Sequence, residues 1–260
     1  PGSGIIARQS DVAITERYGS QVPPLAVFGS TPARTVEARL AQAQALAQAG
    51  RTPDAQAIAS DLWRSDVLDD GLEGRLLSSL GSLLTQDDHR HRAHWLLYRD
   101  RITGAQRLSR FLTQADLNAM DARALANREG GGAIGALQRA NRADPANLHV
   151  AFQLARLYRR ADRPQEAAAL LARVRLTGDA LVRPDVWWRE RRIVARDLLE
   201  LRQPQGAYQL VETPPGSSAG DNAEGAFLAG WIALRFLNAP TRAERHFRQV
   251  LEIGPPPITR

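Results

Sequence analysis

The chain has 260 residues, 43% of them hydrophobic, and no cysteine. That length can bury a substantial core, as one large domain or two small ones. The missing cysteine excludes a disulfide framework, a thiolate metal site and a cysteine nucleophile, and leaves the compartment open. All 34 cationic residues are arginine, the net charge is +6 and the pI is near 10.7. Genomic base composition explains the arginine bias as readily as chemistry does, but the charge points to an anionic partner: nucleic acid, acidic lipid or an anionic cell-wall polymer.

No apolar run is long enough to span a membrane. No signal peptide is visible, and Pro1-Gly2-Ser3 reads as a cleavage scar, so the natural N-terminus and any targeting signal are expected upstream. Residues 1–33 carry no sustained period and are expected to form a partly ordered leader. From Thr35 to Ala49 an Ala-rich helix pattern runs up to Gly50, and Thr52-Pro53 reads as an N-cap with proline at the first helical position. That helix continues through Ile58, Leu62 and Trp63. Further helix patterns cover Leu72 to Leu84, Asp88 to Tyr98, Thr103 to Phe111 and Gln114 to Asn127. Gly130-Gly-Gly132 marks a turn, Ile134 to Ala140 resumes a helix, Asp144-Pro145 breaks it, and Leu148 to Arg160 is helical again, with Phe152, Ala155 and Leu157 inward.

Beyond Arg160 the chain repeats. Pro164-Gln-Glu-Ala167, Pro204-Gln-Gly-Ala207 and Pro240-Thr-Arg-Ala243 each open a helix with proline first and alanine one turn later. Their separations, 40 and 36 residues, are the period of helix-hairpin solenoids, the alanine letting the preceding helix approach. Between these starts lie two strong helix patterns. Asp185 to Leu201 puts Trp187, Trp188, Val194, Ala195, Leu198, Leu199 and Leu201 on one face, with Arg191 in its middle; a buried Arg191 needs a carboxylate or carbonyl partner. Ala223 to Leu237 has a stripe of Ala226, Ala229, Gly230 and Ala233 flanked by Phe227, Trp231 and Leu234 on one side and Ile232 and Phe236 on the other. A helix apolar nearly all round is a buried one, so this reads as a central helix, with Trp187, Trp188 and Trp231 in the core. Thr213 to Asn222 reads as a polar loop and Gly254-Pro-Pro-Pro257 as a hard stop. No segment alternates with period 2, so no sheet is expected.

Candidate chemistry is thin. His89, His91 and His94, near Asp87 and Asp88, invite a metal reading, but lack the spacing of a helical zinc signature; they read as a solvated polar helix start, with no metal and no cofactor expected. Arg189, Arg192 and Arg196 share a helix face at i, i+3 and i+7. They are either a solvated face, with Glu200 pairing Arg196, or contacts to an anionic polymer or partner. The run Arg156, Arg159, Arg160 and Arg163 carries the same two readings. No nucleophile elbow, P-loop, dinucleotide fingerprint or zincin helix is present, so no catalytic residue is identified.

At Trp187-Trp188-Arg-Glu-Arg-Arg192, Ala207-Tyr208, Phe227-Leu-Ala-Gly-Trp231-Ile-Ala-Leu-Arg235-Phe-Leu-Asn238 and His246-Phe247 the chain resembles the soluble lytic murein transglycosylases, in the superhelical U domain that precedes their catalytic domain. The resemblance is weaker across Arg92 to Leu125, at Leu96, Leu97, Ala105, Arg107 and Ala122-Arg123. It implies an all-α, right-handed superhelical solenoid of antiparallel, tetratricopeptide-like hairpins, curved or U-shaped. The superhelix would span 34–253 (a weaker-matching half, 34–128, and a stronger one, 148–253), with a tail, 254–260, leading toward an absent catalytic domain. It further implies a periplasmic protein whose partners are peptidoglycan glycan strands and its own C-terminal catalytic domain, with cell-wall synthesis or secretion-system proteins beyond them. The family's chemistry needs one glutamate that protonates the leaving oxygen and then takes a proton from the muramyl C6 hydroxyl. That glutamate precedes a serine, and this chain has no Glu-Ser dipeptide. The chain alone is therefore expected to be inactive: a fragment of a longer enzyme, favoured by the scar, or a stand-alone relative. Two other functions compete. One is a tetratricopeptide-like adaptor for a protein partner; the other, nucleic-acid binding, rests on charge alone and ranks last.

Overall fold

A computed structural model of the chain describes residues 11–19, 21–28, 32–65, 68–174, 181–213 and 216–253. The scar at Pro1-Gly2-Ser3, the stop at Gly254-Pro-Pro-Pro257 and the rest of the 254–260 tail lie outside them. All regular structure among the described residues is helical. The chain divides into two compact units, Pro1–Leu112 and Thr113–Arg260.

The first unit holds a helical segment at residues 11–18 (α1) and then α2 (Val36–Gln48), α3 (Thr52–Ser65), α4 (Asp70–Leu80), α5 (Gln86–Leu97) and α6 (Ile102–Arg107), with short 3₁₀ turns. The leader is tied down locally: Asp11 accepts from the amides of Arg34 (2.6 Å) and Thr35 (2.8 Å), and Phe28 packs with Ile14, Leu25 and Ala38. The core of this unit is built on Trp63 and Arg92, both buried. Arg92 lies over the Trp63 and Trp95 rings at 5.3 and 4.9 Å and meets Glu73 at 3.4 Å.

The second unit is a run of four hairpins: α7 (Gln114–Asn127) with α8 (Ala133–Ala143), α9 (Leu148–Arg160) with α10 (Pro164–Leu171), α11 (Pro184–Glu200) with α12 (Pro204–Val211), and α13 (Ala219–Arg235) with α14 (Pro240–Ile253). Successive hairpins meet through α8 and α9, α10 and α11, and α12 and α13. The alanines predicted to admit the neighbouring helix, Ala167, Ala207 and Ala243, are buried.

Local chemistry explains the boundaries. Thr85 and Thr113 each form a capping box with the aspartate three residues on, Asp88 and Asp116, satisfying two orphan helix donors at once. The hairpin turn is one structure used repeatedly. Gly50, Asp100, Asp162 and Arg202 sit at φ between 57° and 76°. The next amide (Arg51, Arg101, Arg163 and Gln203) donates to the carbonyl five residues back at 2.8–3.0 Å. This is the 6→1 bond of a Schellman cap. In the second unit a proline follows at the first helical position, where its missing N–H costs nothing.

The structure corrects three expectations. His89 and His94 are not solvated but buried: α5 turns them inward, His89 stacks on Phe111 at a 4.0 Å centroid distance, and burial pushes its imidazole below the ordinary range. The loop before α13 is shorter than Thr213 to Asn222, because Ser218 caps the helix by accepting from the Asp221 amide. Trp231 is not core. Ala226, Ala229, Gly230, Ile232 and Ala233 are buried, but Phe227, Trp231, Leu234 and Phe236 are exposed. α13 belongs to the last described hairpin rather than a central one, so only one of its faces is covered.

Candidate functional site

The candidate site residues lie on α9 and α11 and at the α9–α10 turn. Arginine carries an obligatory charge, so its role is decided by what faces it. Arg159, near the end of α9, forks onto Glu190 of α11, Nε to Oε1 at 2.5 Å and Nη2 to Oε2 at 3.3 Å. Glu190 is buried, and its hydrogen bond raises the Arg159 pKa against the opposing effect of burial. Arg192 of α11 pairs with both carboxylate oxygens of Glu224 on α13, and the Trp188 indole donates to the same carboxylate at 3.3 Å. These two pairs bridge consecutive hairpins. Both are half-covered; Arg159 meets its carboxylate as a two-nitrogen fork, the geometry that suits arginine to carboxylate, whereas Arg192 reaches both oxygens through Nη1 alone.

Two further arginines are engaged at the surface. Arg163 pairs with Glu166 at 2.6 Å and lies 4.4 Å from the centre of the Tyr158 ring. Arg160 lies 3.5 Å from Glu129 and helps line an open groove of about 380 Å³ with Gly130, Ile134 and Leu157. Exposed pairs of this kind contribute little to stability.

Arg189 and Arg196 are different. Both are exposed, and neither has an ion-pair partner among the described residues; Glu200 does not pair with Arg196. Seven residues apart on α11, they stand about 10 Å apart along the axis on one face. Of the six candidate arginines, these two have charge to offer a ligand, and the other four are committed to carboxylates of this chain.

Arg191 resolves as the sequence demands. It is buried and donates through Nη2 to the Leu171 carbonyl at 2.7 Å and to that of Val174. These carbonyls close the end of α10, where the helix dipole favours a cation. Burial lowers its pKa to about 10, so it stays charged at neutral pH.

Sequence reading passed over two features. Asp197 is raised above the ordinary carboxylate range: burial raises it, Arg159 lowers it, and Glu200, Glu190 and Asp162 raise it again. Glu190 and Glu200 lie on its own helix, but Arg159 and Asp162 come from α9 and the turn after it, which the local sequence does not reveal. The second is the open apolar face of α13 and α14. Its signal was visible as the stripe of Phe227, Trp231 and Leu234 that flanks the small-residue stripe of the same helix. Among the described residues no group of three or more His, Cys, Asp or Glu side chains could hold a metal ion. No helix there is long and apolar enough to cross a membrane.

A tetratricopeptide repeat model matches residues 124–183, from the last turns of α7 to the residue before α11. No curated protein matches the chain. The chain is thus an all-helical repeat protein, similar over these hairpins to tetratricopeptide repeats.

Proposed function

We propose that this chain is a non-catalytic helical scaffold in a periplasmic lytic transglycosylase, where it seats the catalytic domain and guides peptidoglycan strands. The observation that carries the anionic-ligand part is the pair Arg189 and Arg196: exposed, unpaired and on one face, beside arginines already neutralised by Glu190 and Glu224. Two such cations suit the carboxylates of peptide stems spaced along a glycan strand. The resemblance around Trp187-Trp188 and Phe227 to Trp231 supplies the family. Its residues also have structural work here: Trp187 packs on Phe152 at 4.9 Å, and Gly230 lets the Phe247 ring approach α13. The test is co-sedimentation with purified sacculi, with the soluble fraction analysed for anhydro-muropeptides. The chain is expected to pellet with sacculi, less so at high salt, and to release no anhydro-muropeptide. Arg189→Ala with Arg196→Ala should abolish most of the binding. Release by this chain alone would place a catalytic carboxylate in it, and failure to pellet at low salt would remove the glycan role.

A second reading, an adaptor for a protein partner, is favoured by the tetratricopeptide match over residues 124–183, since such repeats present side chains from stacked helices to partners.

A further inference from the structure

The turn that closes the first unit is held by an aromatic stack. Phe111, half-buried, ends the 3₁₀ turn Ser109–Phe111, and Leu112 after it is the last residue of that unit. Its ring lies flat on the His89 imidazole of α5, with centroids 4.0 Å apart and planes within 5° of parallel. The Trp63 ring of α3 meets the same imidazole in a T-shape, at a 5.5 Å centroid distance, and His89 is left 4% exposed. Arg110 holds its guanidinium over the Phe111 ring, 4.7 Å from the centre. His89 fills one face of that ring, so the guanidinium takes the other. The backbone here is tied only by short-range bonds: the amides of Leu108, Phe111 and Leu112 donate to carbonyls three residues back at 2.9–3.1 Å, the weaker geometry of 3₁₀ turns.

This setting suits a neutral imidazole and opposes an imidazolium. Nδ1 of His89 is buried, and no hydrogen-bond partner reaches it. Protonation makes both ring nitrogens donors, so it would bury a charged N–H with nothing to accept it, which costs more than a bare nitrogen. The face of Phe111 would attract a cation, but Arg110 already draws on that ring. Two charges act on the imidazole directly, Asp88 beside it on α5 and Arg110 across the stack. The other charged side chains of the packing helices are committed: Arg64 of α3 to Asp87 and Asp88, Arg92 of α5 to Glu73, and Arg107 of α6 to Asp70.

We propose that His89 and Phe111 form an acid-sensitive clasp: protonation of the imidazole releases the turn Ser109–Phe111 from α5 and frees the last residues of the first unit ahead of α7. The direction follows from linkage. Burial lowers the pKa of the clasped ring, Asp88 raises it and Arg110 lowers it again, leaving it below 6.5; once released, the ring returns to about 6.5. The open form therefore binds the proton more tightly. The clasp is intact above about pH 6.5 and weakens as pH falls through the lower, clasped value. The inference uses side chains of the first unit alone and stands whether or not the chain binds glycan.

Hydrogen exchange of the whole chain tests it, with protection of the amides at 102–112 measured between pH 7.5 and 5.0 and corrected for the intrinsic pH dependence of exchange. Protection at Leu108, Phe111 and Leu112 should fall several-fold across that range. His89→Phe keeps an aromatic ring on Phe111 but cannot take a proton, and should hold the protection level with pH. Arg110→Gln, a change at an exposed side chain, removes the repulsion across the stack and should shrink the acid loss; it keeps the test open should His89→Phe fail to fold. Nitrogen-15 chemical shifts of the His89 ring give its own titration midpoint, expected below 6.5. Protection in the parent that stays constant while His89 titrates would overturn the clasp. The same acid loss in His89→Phe as in the parent would assign the release to another group.

Discussion

Replacing Asp88 with asparagine tests whether the first unit is held by one buried carboxylate. Asp88 is 1% exposed and is the meeting point of α3 and α5. Oδ2 accepts from the Thr85 amide and hydroxyl, both at 2.7 Å; Oδ1 accepts from Arg64 Nε at 2.6 Å and from the Ser60 hydroxyl. Burial alone would raise its pKa, but the bonds from Ser60, Thr85 and Arg64 win and lower it from 3.8 to about 2. A carboxylate depressed in the folded state contributes stability that is fully present above its unfolded pKa and is lost as pH falls through the folded one. At roughly 1.36 kcal/mol per pH unit, this gap is worth about 2 kcal/mol, lost between about pH 5 and pH 2. Asp88→Asn keeps one acceptor and turns the other into a donor facing donors, so at neutral pH it should cost about 2–4 kcal/mol. Urea unfolding at pH 7, 5, 4 and 3 measures both effects, with hydrogen exchange of α3 and α5 amides to localise them. By pH 3 the variant should show a shallower acid decline than the parent by about 1 kcal/mol. An unchanged midpoint at pH 7, or the same acid decline in both proteins, would refute the argument.

Further outcomes follow from the second unit. Arg191→Ala strips the donors from the Leu171 and Val174 carbonyls and leaves a void, and should cost about 3–5 kcal/mol in urea unfolding; a loss below about 1 kcal/mol would mean that water satisfies both carbonyls. A Cβ at Gly230 would lie 2.7 Å from Cε1 of Phe247. Overpacking of about 1–3 kcal/mol should therefore outweigh the roughly 1 kcal/mol that alanine gains in helix propensity. In a Phe247→Leu background the same substitution should turn neutral or stabilising, a sign change read from a double-mutant cycle. Arg189→Ala and Arg196→Ala should each weaken sacculus binding by about 1 kcal/mol or less, as exposed charges do, and flatten its salt dependence, read by co-sedimentation at stepped ionic strength.

The helices were legible because their signals are local. Gln114 to Asn127 and Leu148 to Arg160 coincide with α7 and α9, each opened by a capping side chain, Thr113 or Asn147, whose oxygen bonds an amide three residues on. The proline-to-alanine starts gave three helix beginnings and the repeat. The turns were legible only in part. Gly50 declares a left-handed residue, but Asp162 and Arg202 reach the same conformation under the constraint of the packed hairpin and have no comparable sequence mark. The site was the least legible. Arg189, Arg192 and Arg196 look alike along α11, yet Arg192 is neutralised by a glutamate 32 residues away.

Sequence by itself determined that this chain is helical, that it repeats at 36–40 residues, that Trp187, Trp188 and Arg191 are interior, and that Arg191 needs oxygen partners. These follow from periodicity, proline and alanine placement, and the cost of an unpaired buried charge. Only the tertiary structure decided that His89 and His94 face inward, that four of the six candidate arginines are already paired, and that Trp231 meets solvent. The physical reason is one and the same. Periodicity tells which residues share a face of a helix, but burial and ion pairing depend on whether another helix arrives at that face. For α9 and α11 it does; for α13, among the described residues, it does not.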